Sequence, residues 1–119
     1  KKINTRKCLS ISKASLAITE PCMFTNFNDI YNQVFKKFNF IRWGTDALGY
    51  MRCAEGKVDA VIEKNIKLWD VAAIEPIIRN AGGIATTWDG KKIGSNDTVC
   101  ACGDKKLHKL LVKNLQNYI

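Results

Sequence analysis

The sequence predicts an α/β layered domain in which short strands alternate with amphipathic helices. Three observations carry this expectation. Short apolar runs recur between segments whose apolar residues repeat at helical spacing. Capping and turn residues, chiefly Gly, Asp and Pro, stand at most of the junctions. The 119 residues are 46% hydrophobic, which suits one buried core. No apolar run approaches the ~20 residues of a membrane span.

Ser15-Leu-Ala-Ile-Thr19, closed by Glu20-Pro21, reads as a strand. Phe27, Ile30, Tyr31, Val34, Phe35 and Phe38 then share one face of an amphipathic helix. Residues 39–43 form a short strand. Thr45 or Asp46 caps a helix whose buried side includes Leu48, Met51 and Cys53, and Gly56 ends it. Residues 58–63 form the next strand. From Leu68 to Gly83 an acidic residue opens an apolar helix and a Gly-Gly pair closes it. Its periodic residues are Val71, Ile74, Ile77, Ile78 and Ala81. Pro76 removes one ladder hydrogen bond, so a kink or 3₁₀ turn is expected near Ala72. Residues 84–88 read as a strand, and Asp89-Gly90 turns the chain toward a further strand at 91–93. After a strand at 99–102, Asp104 caps a final helix through Leu107, Leu110, Leu111 and Leu115. Strands and helices in this order predict a layered sheet, with no internal repeat or linker.

Nineteen Lys and Arg against eleven Asp and Glu leave a net charge of +8. A surface of that sign attracts polyanions. The lysines are spread along the chain without an aromatic-basic face, so nucleic acid is not an expected partner. Cys8, Cys22, Cys53, Cys100 and Cys102 include no C-x-x-C pair, and His108 is the single histidine. Zinc therefore finds poor support, and reduced thiols in a cytoplasmic protein are expected. The chain opens at Lys1 with no charged-then-apolar leader.

Trp69-Asp70-Val71-Ala72-Ala73, followed by Ala81-Gly82-Gly83, resembles the C-terminal signature of the inositol monophosphatase superfamily. Those proteins are Mg²⁺-dependent, lithium-sensitive sugar and polyol phosphatases. Arg42-Trp-Gly-Thr-Asp-Ala-Leu-Gly-Tyr50 and Ala54-Glu-Gly-Lys-Val-Asp-Ala-Val-Ile-Glu63 match the elements that precede the signature. Trp88-Asp-Gly90 and Cys102-Gly-Asp-Lys-Lys-Leu-His108 match those that follow, so the resemblance spans about residues 5–117. It implies an αβαβα sandwich whose second sheet and flanking helices this chain supplies. Most metal ligands of the family lie in an N-terminal half, on a Gly-x-Glu motif and an Asp-Pro-x-Asp-Gly-Thr segment. Neither motif occurs here, and Asp89-Gly90 has the wrong neighbours. Residues 1–119 therefore look like one C-terminal domain, whether a designed half, a proteolytic product held by its partner chain, or a truncated gene product.

Asp70 has two readings on spacing alone, an ordinary helix N-cap or a carboxylate that holds a cation. The resemblance implies that it binds Mg²⁺ together with ligands from the missing N-terminal half. Mg²⁺ takes oxygen donors in octahedral geometry and keeps several waters. Glu63 occupies the position that contacts a substrate hydroxyl or amino group in the family, against the plain alternative of a solvated charge at a strand end. Asp46 separates subgroups. Inositol phosphatases usually have a small residue there, whereas histidinol-phosphate phosphatases have an Arg-x-Gly-Gly-Asp-Cys-Tyr-like segment. This chain keeps the arginine, one glycine and the aspartate, while Thr45, Ala47 and Leu48 replace Gly, Cys and Tyr. Asp46 also competes with Thr45 as a helix cap. Arg42 either clamps phosphate or holds Asp46 in place. Trp69 and Tyr50 read as core, and His108 as a surface or half-buried histidine.

The resemblance thus implies hydrolysis of a small phosphate ester by metal-activated water, with no nucleophilic side chain. Histidinol phosphate, an intermediate of histidine biosynthesis, is the expected substrate, because a buried carboxylate at position 46 would pair with an ammonium or imidazolium. Inositol or another polyol phosphate is the alternative. The chain by itself is expected to be inactive, or to serve as a non-catalytic basic interaction module. Family members often form homodimers, but no dimer contact is legible here.

Overall fold

The computed structural model describes residues 2–8 and 10–119. Five strands form one mixed sheet: β1 (Ser15–Ile18), β2 (Phe40–Trp43), β3 (Ala60–Lys64), β4 (Ile84–Thr86) and β5 (Thr98–Cys102). The α-helices are α1 (Phe27–Gln33), α2 (Ala47–Ala54), α3 (Leu68–Val71), α4 (Ile74–Asn80) and α5 (Lys105–Leu115). Across the sheet the order is β2-β1-β3-β5-β4. β1 runs parallel to β2 and to β3, while β5 runs antiparallel to β3 and β4. The α/β layered expectation holds.

Side chains alternate across the pleat, so each strand feeds two cores. Leu16, Ile18, Ala60, Ile62, Cys100 and Cys102 meet Ile30 of α1 and Leu107, Leu111 and Leu115 of α5. Ala17, Val61, Val99 and Ala101 meet Tyr50, Cys53 and Ala54 of α2 and Ile78 of α4 on the other face. The chain leaves β1 through α1 to reach β2, then crosses back over β1 through α2 to reach β3. Those crossovers run in opposite directions and use opposite faces, as right-handed connections require. A crevice opens where they diverge, at the carboxyl end of β1, which is where open α/β sheets bind ligands.

Several expectations need correction. The helix predicted over Phe27–Phe38 divides at Val34 (φ −128°, ψ −61°), and a 3₁₀ turn at Phe35–Lys37 follows. That break swings Phe35 beneath Phe24, ring edge to ring face at 5.3 Å. Leu48, Ile77 and Leu110 are exposed rather than buried. In α2 the inward residues are Gly49, Tyr50, Cys53 and Ala54. Gly49 sets that rotation, since a Cβ there would lie 3.2 Å from Ala17 Cβ and 2.7 Å from Thr45 Oγ1. Neither Thr45 nor Asp46 caps α2 with its side chain. No strand forms at 91–93. Thr87 and Lys91 instead close a tight turn, the Thr87 N–H donating to Lys91 O at 2.9 Å.

Other expectations stand. The signature helix breaks into α3 and α4 at Ala72-Ala73, upstream of Pro76. Gly82 adopts φ +105°, the left-handed stop. Asp104 caps α5 by accepting the Lys106 N–H at 2.8 Å, and it also accepts the Cys8 N–H. All five cysteines are free thiols. No helix among the described residues is long and apolar enough to cross a membrane.

Candidate active site

Four elements converge on the crevice beyond β1. Thr19 follows β1, Glu63 stands near the end of β3, Asp46 immediately precedes α2, and Asp70 lies in the single turn of α3. Together with Met23, Ala47, Tyr50, Ile66 and Val71 they line a cavity of about 330 Å³. Three carboxylates face this cavity, and among the described residues no Lys, Arg or His lines it.

Glu63 is the fixed member, with only 3% of its surface exposed. Tyr50 Oη donates to one carboxylate oxygen at 2.5 Å, and Thr19 Oγ1 donates to the other. Burial raises its pKa above the ordinary 4.5, and the charges of Asp46 and Asp70 push the same way. The two hydrogen bonds oppose that rise, and the net shift is upward. Glu63 is therefore no solvated charge at a strand end.

Asp46 is exposed rather than buried as expected, and its backbone lies at φ +47°, ψ −138°. A non-glycine residue in that region stores on the order of 1–3 kcal/mol of strain, and such strain concentrates at functional sites. The geometry turns the chain sharply from β2 into α2 and sets the Asp46 carboxylate on the cavity wall. Asn65 is a second left-handed residue (φ +61°). Its side-chain amide donates to Met23 O at 2.7 Å and ties the segment carrying Met23 to the end of β3.

Asp70 is the third residue of α3 rather than its cap, and its N–H donates to Lys67 O at 3.0 Å. Its carboxylate is exposed on the cavity. Among the described residues no group of three His, Cys, Asp or Glu side chains is placed to hold a metal ion. Asp70 is thus a single exposed carboxylate, fewer oxygen donors than a divalent cation takes.

The model of the inositol monophosphatase family matches residues 1–119. A bifunctional phosphatase, IMPL2 of Arabidopsis thaliana (chloroplastic), is 33% identical over 96% of this chain and 36% of its own length. The chain belongs to the inositol monophosphatase family. Within it, a histidinol-phosphatase of Streptomyces coelicolor is 39% identical over 59% of this chain and 27% of its own length. A solved inositol monophosphatase from Zymomonas mobilis superposes with a TM-score of 0.88 at 30% identity, covering 96% of this chain and 46% of that one. The chain thus spans between a third and a half of the length of these two broadly matched relatives.

The other residues named from the family signature separate. Arg42 does not reach the carboxylate cavity. It lines a different one with Arg52 and Lys57, and no ion pair joins it to Asp46 among the described residues. Trp69 is 77% exposed, so it is not core. Tyr50 is buried as expected, but its hydroxyl serves the site. His108 is buried rather than superficial; its Nε2 lies 2.7 Å from Thr86 Oγ1, and burial lowers its pKa. Trp88 is fully buried, donating Nε1–H to Val99 O, while Thr87–Gly90 makes the expected turn. Thr19 was not legible as a site residue. The available signal was its place at the carboxyl end of a parallel strand.

Proposed function

We propose that this chain supplies half of a Mg²⁺-dependent phosphomonoesterase site that takes a small phosphate ester with a cationic alcohol portion, as in histidinol phosphate. The observation that supports it most is the set of three carboxylates, Asp46, Glu63 and Asp70, on one cavity that no described cation lines. Asp70 is the residue of this chain that would hold the ion, completed by a segment bearing the family's Gly-x-Glu and Asp-Pro-x-Asp-Gly-Thr motifs. Mg²⁺, when bound, supplies Lewis acidity toward water and neutralises charge on the leaving oxygen. Asp46 offers an exposed anion to an ammonium or imidazolium. Glu63, held at both oxygens by Tyr50 and Thr19, is a rigid acceptor that orients an N–H or O–H of the leaving alcohol.

A polyol phosphate is the second reading. It is favoured by the clamped Glu63, which accepts from a hydroxyl as readily as from a cation, and by the similarity to the Zymomonas enzyme. Substrate comparison separates the two. The chain is co-expressed with an N-terminal segment carrying the two motifs, and phosphate release is measured from histidinol phosphate and from inositol 1-phosphate. Asp46→Asn should cut kcat/KM for histidinol phosphate by about 10- to 100-fold, the worth of one charge-assisted contact. Inositol phosphate turnover should change by less than about threefold, since a neutral alcohol gains little from an added anion. Equal losses on both substrates would rule out the cationic assignment.

A further inference from the structure

A second cavity, of about 290 Å³, is lined by Arg42, Thr45, Leu48, Arg52, Lys57 and Val58. It lies on the other flank of the segment that leads into α2, because Thr45 and Leu48 line it while Asp46 and Ala47 line the carboxylate cavity. Among the described residues, its three charged lining residues are all cations. We propose that this cavity binds a small oxyanion of the phosphate type, at a site separate from the carboxylates.

The chain brings these cations together from three places. Arg42 projects from β2, the edge strand of the sheet, with its guanidinium carbon 5.6 Å from the Phe40 ring centroid. Stacking on an aromatic ring positions a guanidinium without consuming its hydrogen-bond donors. Arg52 stands in the last turn of α2. Gly56, at φ +80°, then folds the chain back so that the Lys57 and Val58 N–H groups both donate to Arg52 O, at 2.9 and 3.3 Å. A Cβ at Gly56 would lie 2.9 Å from Asn4 O, so a side chain there would disturb the turn that carries Lys57.

Cations near a helix C-terminus offset the macrodipole, and that ordinary role covers Arg52 and Lys57. It does not cover Arg42, which arrives from a different element. Among the described residues, the carboxylate paired within this group is Glu55, at 3.4 Å from Arg52 with both side chains well exposed. Such an exposed pair is worth little. Three like charges around one concavity raise its potential and favour an anion. Two guanidinium forks and an ammonium suit the several acceptors of a tetrahedral oxyanion. Thr45 lines the cavity beside them, while its own hydroxyl is buried against Gly49 and has no hydrogen-bond partner among the described residues.

The test is a titration of the isotope-labelled 119-residue chain with inorganic phosphate at constant ionic strength, followed by backbone amide NMR. The expected result is a saturable perturbation centred on residues 42, 45, 52 and 57. Arg42→Gln and Lys57→Gln should each weaken the fitted affinity by about tenfold, the effect of losing one hydrogen bond to a charged group. Tighter binding of glycerol phosphate than of inorganic phosphate would assign the site to the phosphoryl group of an ester, and the reverse order to the free anion. The proposal is overturned if no saturable perturbation survives at constant ionic strength, if the changes centre on Asp46, Glu63 and Asp70, or if both variants keep full affinity. It does not depend on the phosphatase reading.

Discussion

On one face of the sheet, Phe24, Phe35 and Trp88 pack with leucines from α5, and Phe24 stacks on Trp88 with 6.0 Å between centroids. On the opposite face the strands present Ala17, Val61, Val99 and Ala101 to Gly49, Cys53 and Ala54 of α2. The first face removes much apolar area from water with a few large side chains. The second uses small side chains, which let α2 and α4 lie close to the strands and hold Tyr50 against Glu63. Bulk on one face stabilises the fold, and close approach on the other sets the site geometry. Substitutions should therefore fail in different ways on the two faces.

Trp88→Ala should show the largest effect, a loss of about 3–5 kcal/mol in denaturant unfolding, because it empties a fully buried site and orphans the Val99 carbonyl. Gly49→Ala tests the other face by overpacking. A loss of about 1–3 kcal/mol is expected, since the new Cβ meets Thr45 and Ala17. If Gly49→Ala proves neutral, close approach is not what limits that face.

Asp46→Gly should act in the opposite direction. Glycine relieves the positive-φ strain, and a gain of about 1 kcal/mol is expected by the same measurement. Recognition of a cationic substrate should fall at the same time, which would place stability and function in conflict at this residue. The smallest effect is the pH dependence of Glu63. Its folded pKa is raised above the ordinary 4.5, so the folded state binds that proton more tightly than the unfolded state. Its contribution to stability is fully present below pH 4.5 and is lost as pH rises through the raised value. Glu63→Gln should flatten the stability curve over that window, and an unchanged slope there would deny the shift.

Most strand positions along the chain were legible because the runs are local and their boundaries are marked by Gly, Pro and Asp. Asp104 was legible for the same reason, since a cap depends on residues within one turn. The rotation of α2 was not. Leu48 and Met51 define one apolar phase, Gly49 and Tyr50 another, Cys53 is buried as expected, and a tertiary contact at Gly49 decides between them. The split at Val34 likewise leaves no mark in the helix's own periodicity, which runs unbroken from Phe27 to Phe38. Asp46, Glu63 and Asp70 were named from the family signature, and they do line one cavity. Arg42, named with them, stands on the edge strand β2 and lines the cavity on the other flank of the α2 entry instead. A lone threonine such as Thr19 carries no chemical signature until its glutamate partner is found.

The most direct measurement is phosphate release by the chain assembled with a segment carrying the two N-terminal motifs, at saturating Mg²⁺, for wild type and Asp70→Asn. The expected result is activity in the wild type and a loss of about a hundredfold or more in kcat for the variant, about 2.7 kcal/mol of barrier. The unfolding midpoint should not move, because the Asp70 side chain is exposed. Equal turnover by the two proteins would contradict the assignment of Asp70 as the metal ligand that this chain contributes.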